Sequence, residues 1–319
     1  MIQYLIILLD NTSTSYCHCS NPNIERHLIS LENLKAGILF GMKENLMIQI
    51  VYPDYLLPRE YTEVIESIDN HKIISSLNKD YALHEEAAVV VLHDWTWLSQ
   101  YQFRENQSYV LLTTKEDFFD RYLFLKNALP NVARISIVFT DIESFTNADF
   151  KKYDQVLNHL STEIEKMYVD GRSPQLNIVT DRMMLGQMNN CGAGVSNITL
   201  APNGKFYVCP AFYYDDEKDN VGSLGLGLGI KNEHLYKLEY APICRHCDAY
   251  QCKRCVWLNR KTTLEVNTPS HEQCVVAHIE RNASRELLQS IRKHGIFLPE
   301  QGEIKEIEYL DPFDNHNDW

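Results

Sequence analysis

The first 180 residues switch repeatedly between two hydrophobic periods. Residues 3–9 are a continuous apolar run, the pattern of a strand covered on both faces. Ser30 then precedes Leu31, Leu34, Ile38, Leu39 and Met42 at helical spacing, which predicts a helix capped by the serine hydroxyl. Residues 47–51 predict a second strand, and Tyr61, Val64, Ile65 and Ile68 a second helix closing near Asn70. Residues 72–75 and 87–92 predict further strands, separated by a polar stretch without a clear period. Residues 109–113 form the next expected strand, followed by a helix opened by Thr114 and Asp117. Residues 134–140 predict another strand. Thr146 and Asp149 then open a long helix with Phe150, Tyr153, Val156, Leu157, Leu160, Ile164 and Met167 on its apolar face, and residues 175–180 predict a last strand. Strands alternating with helices argue for an α/β fold with a largely parallel sheet and right-handed crossovers, either an incomplete parallel (β/α) barrel or an open sheet.

Beyond residue 185 this periodicity gives way to cysteines, seven of nine lying between Cys191 and Cys274. Cys244-x2-Cys247-x4-Cys252-x2-Cys255 sets two C-x-x-C turns four residues apart. Each such turn puts two sulfurs on one side of a loop and aims backbone N–H groups at them, favouring thiolate, the form that binds metal. Four thiolates so close together suffice for an all-cysteine site. Upstream, Cys191-x12-Gly204-x4-Cys209 brackets two short expected strands, 197–200 and 205–209, joined by Ala201-Pro202-Asn203-Gly204. That tetrad suits a type I turn with Gly204 left-handed at the exit, so the hairpin is expected to fix Cys209 relative to Cys191.

The 319 residues suffice for one large or two ordinary domains, and the change of pattern sets them at 1–185 and 186–319. A net charge of −13 without a Lys/Arg block argues against nucleic acid as partner. The apolar start is short and lacks a basic flank, so a signal peptide is not expected, and no apolar run approaches the roughly 18 residues of a membrane span. Nine cysteines without export point to a reducing, cytoplasmic compartment, where clustered thiols mean metal rather than disulfides.

This cysteine spacing resembles the SPASM domain, the auxiliary-cluster domain of many radical-SAM peptide maturases. The stretch Cys191-x12-Gly204-x4-Cys209 matches the first half of that pattern, and Asn220-Val221-Gly222-Ser223-Leu224 resembles the segment that follows its hairpin. The second half departs by one residue at two places, x4 for x5 and x2 for x3. The run from Tyr4 to His18 resembles the start of a narrower family, the CXXX repeat peptide maturases. These resemblances imply a radical-SAM-like scaffold over residues 1–185 followed by a small Cys-rich SPASM-like metal domain over 186–319. They imply a [4Fe–4S] cluster on Cys244, Cys247, Cys252 and Cys274, and a second on Cys191, Cys209 and Cys255 with its fourth ligand unassigned. They also imply two partners, a ribosomally synthesised Cys-rich precursor peptide and a separate radical-SAM maturase.

One part of that family's machinery is missing. A radical-SAM core carries C-x3-C-x2-C after its first strand, three thiolates that leave one iron open to the amino and carboxylate groups of SAM. The corresponding loop, residues 11–22, holds only Cys17-His18-Cys19, and the motif occurs nowhere in the chain. The expectation is a chain that takes no SAM and does not cleave it alone.

Zinc is the alternative metal, on Cys244, Cys247, Cys252 and Cys255. One zinc accounts for four cysteines rather than seven, which favours iron. No catalytic residue is assigned. Asp10, Asp54, Asp94, Thr113, Asp141 and Asp181 stand at expected strand ends, with His93 beside Asp94, where sites form in parallel barrels but where Asp and Thr also serve as helix caps. His246 and His271 lie near cysteines in sequence, as ligands or surface groups. Gly225, Gly227 and Gly229 match no nucleotide-binding pattern and read as a turn region. Residues 215–219 read as a solvated acidic loop, 282–292 as an amphipathic helix and 311–319 as a polar tail. Two function classes follow: a cluster-bearing peptide-maturation component, or a peptide-binding module stapled by zinc or clusters without a redox role.

Overall fold

Apolar runs become strands, and the helical-period segments connect them. In a computed structural model, which describes residues 2–304, the elements in chain order are β1 (Tyr4–Leu8), α1 (Leu31–Lys43), β2 (Met47–Val51), α2 (Arg59–Glu66), β3 (His71–Ser75), α3 (Tyr81–Glu86), β4 (Val89–Leu92), α4 (Trp97–Gln100), β5 (Ser108–Thr113), α5 (Lys115–Arg121), α6 (Phe124–Ala128), β6 (Arg134–Phe139), α7 (Asn147–Val169), β7 (Gln175–Leu176), α8 (Asn177–Met184), β8 (Asn197–Leu200), β9 (Phe206–Tyr207), α9 (Pro210–Asp215), β10 (Gly222–Ser223), β11 (Gly227–Leu228), α10 (Val256–Thr263) and α11 (His271–Ile291). The mostly parallel α/β architecture expected from the alternation is the one observed. The polar tail 311–319 lies outside the described residues.

Contacts divide the chain into two units. The first comprises residues 2–97, 106–112 and 192–237. Its sheet runs β5-β4-β3-β2-β1-β8-β9, parallel except for β9, which returns antiparallel to β8. Leu5 pairs with Ile48 and Ile198, and Ile7 with Ile50 and Leu200, so the central strand is buried from Leu5 to Leu8. The expected turn closes the β8–β9 hairpin: Gly204 N donates to Ala201 O at 3.0 Å, with Gly204 at φ +73°. The glycine stretch 225–229 closes the antiparallel ribbon of β10 and β11.

Two elements of this unit depart from the sequence pattern. α1 begins as expected, Ser30 Oγ accepting from Asn33 N at 3.1 Å. Its buried face, however, carries Leu34, Gly37, Ile38 and Gly41, whereas Leu39 and Met42 are 64% and 60% exposed. The glycines let the helix lie close to the sheet: a Cβ on Gly37 would meet Leu200 Cδ2 at 2.3 Å. Close approach, rather than side-chain bulk, selects the face. The polar stretch before β4 also folds, because Asp80 Oδ1 accepts from Ala82 N at 3.1 Å and opens α3.

The second unit comprises residues 98–105, 113–191 and 238–304. Thr114 caps α5, and Thr146 with Asp149 forms the capping box of α7. Tyr168, not Met167, closes the buried face of α7. Phe118, Phe139, Phe145 and Tyr153 form the core, with ring centroids 5.1 to 5.8 Å apart, mostly edge-on. The strand expected over 175–180 stops at Leu176. Asn177 Oδ1 accepts from Ile137 N at 2.7 Å and its Nδ2 donates to Ile137 O at 2.9 Å, so an amide side chain replaces the next rung of the β6–β7 ladder. Thr180 Oγ1 accepts from Leu176 N at 2.9 Å and turns the chain into α8. α11 is longer than the 282–292 segment predicts. It starts at His271, with Ser270 Oγ accepting from Gln273 N at 3.2 Å, and packs on α7 and α8.

Candidate metal centre

Cys191, Cys244, Cys247, Cys252, Cys255 and Cys274 belong to the second unit, and Cys209 to the first, where it is the N-cap residue of α9. The first C-x-x-C pair closes a turn, and one sulfur of each pair has a peptide N–H aimed at it. Cys247 N donates to Cys244 O at 3.1 Å, and Ala249 N then points at Cys247 Sγ at 3.4 Å. Cys252 N donates to Ala249 O at 3.0 Å, and Arg254 N points at Cys252 Sγ, again at 3.4 Å. Reaching that second sulfur takes Arg254 to φ +46°, the left-handed region. The segment carrying Cys191 runs alongside: Asn189 N donates to Tyr250 O at 2.9 Å and Cys191 N to Lys253 O at 3.1 Å.

Burial dominates the electrostatics of these thiols. It pushes Cys244 up to about 11 against the guanidinium of Arg254, and raises Cys247 and Cys252 despite the N–H groups aimed at them. Thiols held neutral by desolvation, yet surrounded by donors that favour the anion, suit a cation that displaces their protons. Buried Asp248 Oδ2, Gln251 Oε1 and Gln273 Oε1 have no hydrogen-bond partner among the described residues. By donor chemistry the set fits a thiolate-bound metal or cluster.

Among the described residues, the His, Cys, Asp and Glu donors that lie within 4.8 Å of one another as a group are Cys247, Asp248 and His278. His278 Nε2 stands 3.3 Å from Cys247 Sγ. Asp248 is 4% exposed; its Oδ1 takes Arg281 NH1 at 2.6 Å and its carbonyl takes Arg182 Nε at 2.6 Å. Burial, with Arg281 nearby, lowers His278 to about 4. Burial thus works against both the thiolate of Cys247 and the imidazolium of His278. Close by, Glu280 accepts from Tyr153 OH at 2.9 Å and is pushed up to about 8 by desolvation.

Sequence reasoning named His246 and His271, but His246 is exposed and His271 lies edge-on to Phe150 with centroids 6.1 Å apart. It missed Asp248 and His278. The signal for His278 was available: Cys274 and His278 are four residues apart, a spacing that stacks both on one face of a helix.

The strand-end residues are absorbed locally. Asp10 accepts from Thr12 N at 2.8 Å, Thr12 Oγ1 at 2.6 Å and Tyr55 OH at 2.9 Å. Asp94 accepts from Thr96 N, Thr113 donates to Thr114 O, Asp141 accepts from Lys115 N, and Asp181 pairs with Arg134 at 2.7 Å. Asp54 is exposed, and His93 Nε2 meets Thr14 Oγ1 at 3.0 Å. In the β1 loop Cys17 Sγ lies 3.6 Å from Ser15 Oγ, and Cys19 Sγ is directed at Ser20 O at 3.3 Å.

A scan against protein-family models finds no match, and a search of curated proteins finds none. Solved structures are similar. Hexahistidine-tagged anSMEcpe with bound AdoMet matches over 91% of this chain and 96% of its own, at 12% identity and a TM-score of 0.60. Native anSMEcpe with bound AdoMet and Kp18Cys peptide matches over 91% and 99%, at 13% identity and a TM-score of 0.60. The structure with Cp18Cys peptide matches over 92% and 100%, at 13% identity and a TM-score of 0.59. At such identity the likeness is one of fold. No helix among the described residues is long and apolar enough to cross a membrane.

Proposed function

We propose that this chain is a maturation component for a ribosomally synthesised Cys-rich peptide, carries auxiliary iron–sulfur clusters and works with a separate radical-SAM enzyme. The observation that carries this reading is the pair of consecutive turns in which peptide N–H groups point at the desolvated sulfurs of Cys247 and Cys252. The fold is similar to that of a protein seen with bound AdoMet and with bound peptide, which supports a peptide-facing role. In this reading Cys244, Cys247, Cys252 and Cys274 hold one [4Fe–4S] cluster. Cys191, Cys209 and Cys255 hold the second, and a cysteine of the peptide is the candidate fourth donor. Bound clusters supply electron transfer and Lewis acidity. The chain's own part is to keep the sulfurs dry, aim N–H groups at them and hold their spacing. SAM cleavage is assigned to the partner enzyme, because C-x3-C-x2-C is absent from the sequence.

The test is anaerobic purification of the full chain, with iron and sulfide analysis and EPR of the reduced protein. Two clusters give iron and sulfide at about eight each per chain, and a Cys-containing peptide perturbs the spectrum. Colourless protein with one tightly held zinc overturns the iron reading.

A second reading, a zinc-stapled peptide-binding module, is favoured by the mixed sulfur, oxygen and nitrogen donors of Cys247, Asp248 and His278. The same metal analysis decides between the two.

A further inference from the structure

The geometry points to His278 as an N–H donor to the cluster-bound sulfur of Cys247, a positioning residue that raises the reduction potential of that centre. This inference rests on the cluster reading above. Its starting point is the 3.3 Å separation of His278 Nε2 and Cys247 Sγ. Between a thiol and an imidazole the proton in such a contact can belong to either side. Once Cys247 ligates iron its sulfur is a thiolate with no proton to give, so the contact persists only with the proton on Nε2. Metal binding therefore fixes the direction: the ring donates and the sulfur accepts.

His278 is not itself needed as a ligand. Four cysteines saturate the four irons of a cubane, and Cys274 occupies α11 one turn before His278. The helix thus offers the centre a thiolate and, four residues later, a hydrogen-bond donor. Hydrogen bonds to the sulfurs are among the levers that set cluster potentials, because they disperse the negative charge added on reduction. Ala249 N already donates to the same sulfur at 3.4 Å, so Cys247 becomes the ligand with a main-chain donor and a side-chain donor together.

The surroundings hold this contact in place. Asp248, next to the ligand, is clamped by Arg281 on its carboxylate and by Arg182 on its carbonyl, both at 2.6 Å. Arg182 also stacks 4.1 Å from the ring centre of Tyr250. Asp248 is thereby fixed at its side chain and at the Asp248–Ala249 peptide, whose N–H is the one aimed at Cys247 Sγ, and the buried carboxylate has a guanidinium against it.

The experiment compares the anaerobically loaded full chain with His278→Leu and His278→Gln, and includes wild type carrying 15N-labelled histidine. The expected result is unchanged iron and sulfide in both variants and a lower midpoint potential for one cluster in His278→Leu. His278→Gln, whose amide can still donate, recovers most of that loss. Pulsed EPR of the labelled protein shows a weak 15N coupling that disappears in both variants. An unmoved potential in iron-loaded His278→Leu overturns the inference alone, as does the absence of any 15N coupling in wild type. A strong coupling, or loss of iron in His278→Gln, makes His278 a ligand and overturns it as stated. Iron-free wild type overturns the cluster reading and this inference with it. Should His278→Leu not fold, the labelled wild type and His278→Gln still decide.

Discussion

The β1 loop of the first unit and the cysteine turns of the second both bury polar groups, and they do so by opposite means. In the β1 loop the side chains answer one another. Asp10 takes three donors, Ser13 Oγ donates to Val51 O at 2.9 Å, Tyr213 OH reaches Asn11, and Tyr214 OH donates to Ser13 O at 3.1 Å. Asn21 Nδ2 closes the loop on the carbonyls of Asn11 and Ser13 at 2.7 and 2.9 Å. The cysteine turns instead concentrate desolvated thiols and buried oxygens such as Asp248 Oδ2 and Gln251 Oε1 that have no hydrogen-bond partner among the described residues. A buried polar group is stable only when satisfied. The polar groups named in the first region find partners within the chain, whereas in the proposed reading the thiols of the second give up their protons to a metal centre.

The largest effect that tests this contrast is loss of a proposed ligand. Cys247→Ser is expected to lower iron from about eight to about four per chain, whereas the double variant Cys17→Ala with Cys19→Ala leaves the count unchanged. Iron analysis after anaerobic loading reads both. Loss of iron in the double variant would mean that the β1 loop closes a cluster, and the contrast would collapse.

Next in size is the β1 loop itself. Asp10→Ala removes a fully buried acceptor and leaves three part-buried donors, Thr12 N, Thr12 Oγ1 and Tyr55 OH, without it. Uncompensated burial of such groups costs about 1–3 kcal/mol each before relaxation, so a loss of about 3 kcal/mol is expected by urea unfolding, with iron content unchanged. A loss below about 0.5 kcal/mol would show that the network does not hold the loop.

A third effect is pH-dependent and belongs to the second unit. Glu280 is raised from an ordinary 4.5 to about 8, chiefly by desolvation. Below 4.5 the carboxyl is protonated in folded and unfolded chains alike and contributes nothing. Between 4.5 and 8 the unfolded chain ionises while the folded one keeps its proton, so stability falls as pH rises through this window and levels off above it. Allowing for partial exposure, about 2 kcal/mol is at stake. Glu280→Gln should flatten the melting temperature between pH 5 and 8. An equally steep decline in that variant would assign the pH dependence to other groups.

Much of the fold was legible because its signals are local. The apolar run of β1, the Ser30 cap, the Thr146–Asp149 capping box and the turn ending at Gly204 each act within a few residues. What escaped depends on partners distant in sequence. The buried face of α1 is chosen by the room that Gly37 leaves for Leu200. β7 ends early because Asn177 finds the backbone of Ile137, forty residues away. The same holds at the candidate site. The spacing anticipates peptide N–H groups at cysteine sulfurs, and the structure has them at Cys247 and Cys252. His278 meets Cys247 across 31 residues of sequence, and only the phase of α11 relative to Cys274 hinted at it.

The smallest expected effect is none at all, and it bears on the β1 loop most directly. A loop that wraps a SAM-binding cluster must free three thiolates to face one point. Here the loop holds two cysteines one residue apart, with Cys19 Sγ directed at Ser20 O and Ser15 Oγ donating to the Cys19 carbonyl. Its backbone is further fixed by Asn21 and Tyr214, and the side chain of Asn11 by Tyr213. Opening it would sacrifice several of these bonds, at about 1 kcal/mol net for each. Incubated with AdoMet and a strong reductant, the full chain alone should therefore yield no 5′-deoxyadenosine above a protein-free control. The solved neighbours with bound AdoMet make this a demanding test, because their fold is the one this chain shares. Product formation by the chain alone would show that its loop can hold a reactive cluster after all. The two regions would then differ in degree rather than in kind.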